Sequence, residues 1–271
     1  MFELCQEICG PNRVVVVLMG EAGASLLQVV SEEAIAAACG YQRGKASVCL
    51  LDTVTELEAF VADTDLLVLA GDLSMSDDLL DRALQIVKAC TIKEVCCCLL
   101  PASTVTGMKE KERASQLINA VSHVLLSSSS DSSGQYTLEW LQEALLDLVY
   151  AVLGEGLILA RLQDVFAVLD AGKYGCYATG IGRGENPALD AFSAAVRQWP
   201  CEPAYSWVLC SIRSGYDIRF AEIVNIGELF KSRLPPESCL ITSSTIVEGM
   251  RSEIHIGLTG FSEHRFHHQS E

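Results

Sequence analysis

From Arg13 to Val121 the chain repeats one rhythm: a short run that is almost wholly apolar, then a longer stretch with apolar residues three or four positions apart. The runs are Arg13–Met19, Ala46–Leu51, Thr64–Leu69 and Glu94–Leu100. The stretches that follow them are Leu26–Cys39, Val54–Ala62, Asp77–Ala89 and Lys109–Val121. An apolar run without alternation suits a strand buried on both faces, whereas three-and-four spacing suits a helix with one buried stripe. Strands and helices in alternation build a parallel sheet covered by helices on both sides, so this half is expected to be an α/β domain.

Further along the pattern changes. Ser127–Gly134 is Ser-rich and has nothing to bury, which makes it a connector. A helix follows, with Thr137 as its cap and Leu138, Leu141, Leu145, Leu148, Val149 and Val152 as a wide apolar stripe that stops at Gly154-Glu155-Gly156. So broad a stripe places the helix at the centre of the fold. Val165–Leu169 and Pro187–Gln198 read as helices, the second with Asn186 as cap and Pro187 at its first position. Gly175–Gly184, Tyr205–Ile212, Cys239–Ile246 and Glu253–Thr259 read as strands, with a helix at Phe220–Lys231. The expected organisation is an α/β domain over 1–126, a connector and central helix over 127–170, an α+β domain over 171–262 and a tail over 263–271.

Composition narrows the partners. Of 271 residues 50% are hydrophobic, enough for a large core, and 19 Lys+Arg against 35 Asp+Glu give a net charge of −16. Nucleic acid and anionic lipid attract basic patches, so neither is expected as a partner. The 12 cysteines include no CxxC pair and lie in apolar runs such as Val95-Cys96-Cys97-Cys98-Leu99. They read as small core hydrophobes of a reduced protein rather than as bridges or metal ligands. Glu3 and Glu7 interrupt the N-terminus, and no uncharged apolar stretch reaches 18 residues. A cytoplasmic location without membrane insertion is the expectation. His264, His267 and His268 read as part of the tail, and no metal site is expected. Gly180-Ile181-Gly182-Arg183-Gly184 lacks the last glycine of a dinucleotide fingerprint, and no Gly-x-Ser-x-Gly elbow is present.

Several stretches together carry a resemblance. Gln163-Asp164-Val165, Gly175–Ile181, Gly182–Asn186 opening an Ala-rich helix, and Trp207–Arg219 with its Gly215-Tyr216-Asp217-Ile218 turn resemble the junction and C-terminal domain of FtsZ, the bacterial tubulin homologue. Val14–Ser25, Ala62–Gly71, Val95–Gly107 and His123–Ser129 fall where that family's nucleotide-domain strands and loops lie. The resemblance implies a parallel-sheet nucleotide-type domain joined by a central helix to an α+β domain. It also implies GTP or GDP as ligand and self-association, or association with another FtsZ-family protein.

The same resemblance exposes departures. The family's glycine- and threonine-rich phosphate loop corresponds to Ala70–Asp78, which keeps Gly71 and brings in Asp72, Asp77 and Asp78. Three carboxylates would each repel a triphosphate by about 1 kcal/mol at a partly exposed site. The first turn, Gly20-Glu21-Ala22-Gly23-Ala24-Ser25, keeps the small residues of a phosphate loop, so Gly20, Gly23, Ala24, Ser25 and Gly71 are the candidate nucleotide contacts. At the positions that read guanine stand Leu138 and Glu139, and a leucine supplies no hydrogen bond. In the loop that completes catalysis between subunits, Leu159 replaces an Asn and Arg161 an Asp, leaving Asp164 as the candidate catalytic acid. Arginine does not serve as a base. The leading expectation is a non-catalytic FtsZ-like scaffold. The alternatives are a weak GTP-binding, filament-forming GTPase and an adaptor subunit of an unrelated complex.

Overall fold

The computed structural model describes residues 12–31, 34–35, 44–54, 61, 63–90, 95–100, 108–126, 135–200, 205–233 and 235–263. The connector expected at 127–134 and the tail histidines lie outside these residues, as do most of the expected helices at 26–39 and 54–62.

The strands are β1 (Asn12–Met19), β2 (Gly44–Leu50), β3 (Leu66–Gly71), β4 (Val95–Leu100), β5 (His123–Leu126), β6 (Tyr174–Arg183), β7 (Trp207–Ser214), β8 (Cys239–Ile246) and β9 (Glu253–Ser262). The helices are α1 (Gly20–Leu26), α2 (Asp77–Ala89), α3 (Met108–Ala120), α4 (Gln135–Leu153), α5 (Leu162–Leu169), α6 (Pro187–Gln198) and α7 (Phe220–Lys231). Among the described residues the strands form one nine-stranded sheet in the order β2-β1-β3-β4-β5-β6-β9-β7-β8. It is parallel except where β9 runs antiparallel between β6 and β7. Among the described residues β5 and β6, where the two halves of the sheet meet, are paired at Val124↔Tyr174 and Leu125↔Gly175.

The first strand shows why unbroken apolar runs were required. Val14, Val16 and Leu18 face a core shared with α4 and α5, while Val15, Val17 and Met19 face the core under α2 and α3. All six are at most 1% exposed. A third core, around Phe192, Ile212, Ile226 and Leu258, sits where α6 and α7 cover the C-terminal strands. Cys176 and Cys210 lie in it, and burial pushes both thiols up to about 12.

Three local expectations need correction. The first helix begins at Gly20, directly after β1, and ends at Leu26, where the sequence pattern places a helix start. Thr137 falls inside α4, which begins at Gln135, so it does not cap that helix. Asn186 occupies the N-cap position of α6 without any side-chain cap hydrogen bond.

The 19-residue α4, about 28 Å long, is fastened to the C-terminal sheet by buried charge. Asp147, 1% exposed, accepts from Arg213 Nε of β7 at 2.7 Å and from the Tyr177 hydroxyl of β6 at 2.5 Å. Arg213 also reaches Glu143, one turn earlier on α4, and Glu143 faces His255 Nδ1 of β9 at 3.3 Å. Glu253, on the same strand, joins His255 Nε2 to Arg183 at the end of β6. Gly257 makes room for this: a Cβ there would stand 1.7 Å from Asp147 Oδ2.

The network sets a pH dependence. Burial opposes the charged form of His255, but hydrogen bonds to Glu143 and Glu253 outweigh it and raise its pKa. The contribution is complete below about 6.5, the unfolded value, and is lost as pH rises through the higher folded value. The denaturant midpoint is expected to fall as pH rises through that window, and His255→Gln should flatten the fall. Removing Arg213 leaves Asp147 and Glu143 buried without their cation, so Arg213→Met is expected to cost about 3–5 kcal/mol by urea unfolding.

Candidate functional site

The C-terminal ends of β1 and β3 bring together both loops expected to hold phosphate. At Gly20 the backbone turns at φ +67°, a left-handed conformation natural to glycine, and enters α1. Gly23 is buried, while Ala24 and Ser25 are exposed on α1. Gly71 ends β3 in register with Met19. Gly20, Gly23, Ala24, Ser25 and Gly71 are thus assembled around one strand-end edge.

The edge is already filled by the chain itself. Met19, at the N-cap of α1, offers no capping side chain. Asp72 supplies the acceptor instead: its Oδ2 takes the Ala22 N–H at 2.7 Å and its Oδ1 takes the Ser74 N–H at 2.8 Å. The Ser74 hydroxyl bonds to Oδ1 and accepts the Glu21 N–H at 3.0 Å. A Cβ at Gly20 would stand 2.0 Å from Asp72 Oδ1, so only glycine admits the carboxylate here. Two of the N–H groups that open α1, those of Glu21 and Ala22, are thus spent on Ser74 and Asp72.

The rest of the loop is pinned. Arg113 of α3 donates from Nη1 to the Met75 carbonyl at 2.7 Å, donates from Nε to Asp77 at 3.0 Å, and pairs with Asp77 again through Nη2. Lys109 adds a contact to Asp77 at 3.2 Å. These hydrogen bonds hold the Asp77 carboxyl below its usual range. Ser76 caps α2 by accepting the Leu79 N–H.

Beside this loop a cleft of about 240 Å³ lies between β1–α1 and the end of β2, walled by Leu18, Leu50, Leu51 and Met75, with Glu21 and Asp52 among its lining. Ligand pockets commonly run from about 300 to 1,000 Å³. Its volume, two carboxylates and occupied donors do not fit a triphosphate. Leu138 is half-buried and packs against the core beneath β1, and Glu139 is exposed.

Asp164 lies elsewhere. α4 runs away from the strand-end edge, and its last residue, Leu153, packs at the opposite edge: a Cβ on Gly44, where β2 begins, would stand 2.7 Å from Leu153 Cδ2. Residues 155–158 then pair with the outer strand β8, through Ser244 N–H to the Ile158 carbonyl at 2.7 Å and Ile246 N–H to the Glu155 carbonyl at 2.9 Å. Asp164, in the first turn of α5, accepts the Arg161 N–H at 2.9 Å and holds the Arg161 guanidinium at 2.9 and 3.0 Å. Hydrogen bonds from Arg161 lower the Asp164 carboxyl. The structure does not bring Asp164 together with the glycine loops within one chain.

The order of elements, the filled strand-end edge and the long helix linking it to the β8 loop can be set beside known structures. No protein-family model matches the sequence, and neither does any curated protein. Solved structures do match. An FtsZ mutant from M. jannaschii aligns over 93% of this chain and 92% of its own, with TM-score 0.74 and 17% identity. The chain has the FtsZ fold. An empty FtsZ dimer from M. jannaschii aligns over 93% and 88%, with TM-score 0.72 and 16% identity. CetZ2 from Haloferax volcanii, solved as a GTPγS-bound protofilament, aligns over 93% and 94%, with TM-score 0.56 and 14% identity. The likeness covers 93% of this chain and 92% of the M. jannaschii FtsZ mutant.

Asp72, Ser74 and Arg113 are the residues the sequence did not reveal. Asp72 stood in view as one of three loop acids, read only as repulsive, although an Asp two residues before a Ser is a local turn signal. Asp72→Ala removes the acceptor that caps α1, and a loss of about 1 kcal/mol is expected on urea unfolding.

Proposed function

We propose that the chain is a non-catalytic scaffold of FtsZ fold, of cytoskeletal or cell-division type, that associates with itself or with another FtsZ-fold protein without nucleotide turnover. The observation that carries this reading is Asp72. Its carboxylate accepts the Ala22 N–H and organises Ser74, so the chain's own anion occupies the donors at the start of α1. A ligand there would have to break those bonds and approach a loop carrying Asp77 and Asp78. Asp164 supports the same reading, because Arg161 neutralises it. Self-association is supported by the fold alone: among the similar structures are a dimer and a protofilament. Among the described residues no helix is long and apolar enough to cross a membrane.

A filament-forming GTPase is the second reading, favoured by the GTPγS bound in the similar protofilament. Calorimetry separates the two. The scaffold releases no guanine nucleotide when the purified protein is denatured, and gives no heat with millimolar GTP or GDP. Its sedimentation is the same with and without GTP, in the wild type and in Asp164→Ala alike. Bound guanine nucleotide, or GTP-dependent pelleting lost in Asp164→Ala, would reverse the order of the readings.

A further inference from the structure

Two features meet at the outer strand β8. The first is backbone. The Cys239 N–H donates inward, to the Ser206 carbonyl at 2.8 Å, whereas the Ser244 and Ile246 N–H groups donate outward, to the Ile158 and Glu155 carbonyls at 2.7 and 2.9 Å. Backbone groups alternate between the two sides of a strand, so Leu240 and Thr242 also turn their N–H and C=O groups outward. Among the described residues those groups meet no hydrogen-bond partner. Sheets protect such an edge with charge, proline or a bulge. β8 uses none of these: residues 238–247 include no charged residue and no proline, and the register with β7 runs unbroken from Cys239 to Ile246.

The second feature is a stripe on α7, the helix that covers the same strand. Ile223, Ile226 and Phe230 share a core with Val208 and Ile212 of β7, and Leu240 of β8 packs against it. Gly227 turns toward the outer strand: a Cβ there would stand 3.8 Å from Thr242 Oγ1. Phe220 and Val224, seven and three residues earlier, lie on the same side of the helix. They are 57% and 38% exposed. Two large apolar side chains and a glycine, which admits a close neighbour, thus line the side of α7 above the unpaired edge.

The free edge is short and both its ends are fixed. Before it the Ser238 N–H is spent on the Pro235 carbonyl at 2.9 Å, and after it the Ser244 N–H is spent on Ile158. An antiparallel strand centred on Ile241 uses everything between: Leu240 of each copy exchanges two hydrogen bonds with Thr242 of the other. A centre one or two residues either way calls on the spent N–H of Ser238 or Ser244. A second copy therefore matches this edge group for group, and a two-fold axis at Ile241 satisfies both copies at once. The same axis sets α7 beside its counterpart. A helix seated over β7 and β8 lies about 5 Å from the axis, so the two helices are about 10 Å apart, the distance at which helices pack.

We propose that β8 and α7 form a two-fold contact with a second copy, the outer strands pairing antiparallel about Ile241 and the α7 helices packing through Phe220, Val224 and Gly227. The inference rests on the self-association in the scaffold reading and names a contact for it. Backbone hydrogen bonds set the register, and burial of the apolar stripe contributes the affinity. Such a contact closes on itself at two copies.

Sedimentation velocity on the full chain tests this with two variants. Val224→Glu, at an exposed helix position, puts charge into the stripe. Thr242→Pro removes an outward N–H and leaves the inward donors of β8 in place. Each is expected to weaken dimerisation about tenfold or more, with the melting temperature of Val224→Glu unchanged. The register has its own readout. Cys239, an exposed free thiol, faces residue 243 of the other copy in a pair whose Cα atoms lie about 4.5 Å apart, within disulfide reach. Ser243→Cys is expected to form a covalent dimer when oxidised glutathione accepts the hydrogens of the two thiols, and Ser243→Cys/Cys239→Ser is expected to form none.

A dimer that either surface variant leaves at full strength overturns this contact and leaves the scaffold reading standing. A dimer weakened by both variants but never bridged in Ser243→Cys overturns the register. A chain that is monomeric alone and binds only another FtsZ-fold protein overturns the two-fold contact, again with the scaffold reading intact. A chain that stays monomeric at every concentration, alone and mixed with such a protein, overturns the scaffold reading and this inference together.

Discussion

The buried pair between Asp147 and Arg213 decides how this molecule holds together. An ion pair taken out of water seldom adds stability over a packed apolar pair, because both charges lose their hydration. What it does is penalise every arrangement in which the partners fail to meet. Asp147 sits in the C-terminal half of α4 and Arg213 next to the end of β7, with Tyr177 completing the carboxylate and Gly257 leaving space for it. Among the described residues the two halves of the sheet join through one strand pair, β5–β6, of two residue pairs. Without this network α4 could slide along its apolar stripe at small cost, since leucine packs almost as well one turn away. With it, one register satisfies the charges. That register sets where Leu153 ends, and so where the loop at 154–161 meets β8.

Much of the scaffold was legible because burial on both faces leaves a plain trace. The runs that became β1 and β8, and the stripes that became α6 and α7, have boundaries close to those observed, with Pro187 marking the start of α6. The misreading of α1 has a cause that local sequence hides: the deciding partner is far away. α1 begins at Gly20 because Asp72, 50 residues on, caps it. Read locally, the same segment is a glycine-rich turn before a later helix. The charge network was invisible for the same reason, although the clue was present. Asp147 interrupts the apolar stripe of α4, and Arg213 interrupts an apolar strand. A single buried charge in an otherwise apolar element needs a partner, and these two elements offer each other one.

At the strand-end edge a side chain does what a bound anion can do at a helix N-terminus. Helix N-termini need an acceptor, and a bound phosphate and a side-chain carboxylate answer the need equally well. They differ in thermodynamics. A free ligand gives up translational freedom each time it binds, and its occupancy follows its concentration. A carboxylate carried by the chain gives up that freedom once, on folding. Asp72, braced by Ser74 within a loop that Arg113 holds, caps α1 from within the chain.

On the scaffold reading this cap has a consequence for assembly. Where a nucleotide lies between subunits, its hydrolysis can alter the contact; where a carboxylate fixed in one subunit takes its place, no chemical step remains to alter it. The contact must then draw its affinity from ordinary side chains, and copies carrying a charge of −16 cannot draw it from acidic ones. Apolar area is the remaining source, because its burial is favourable whatever the sign of the surrounding charge.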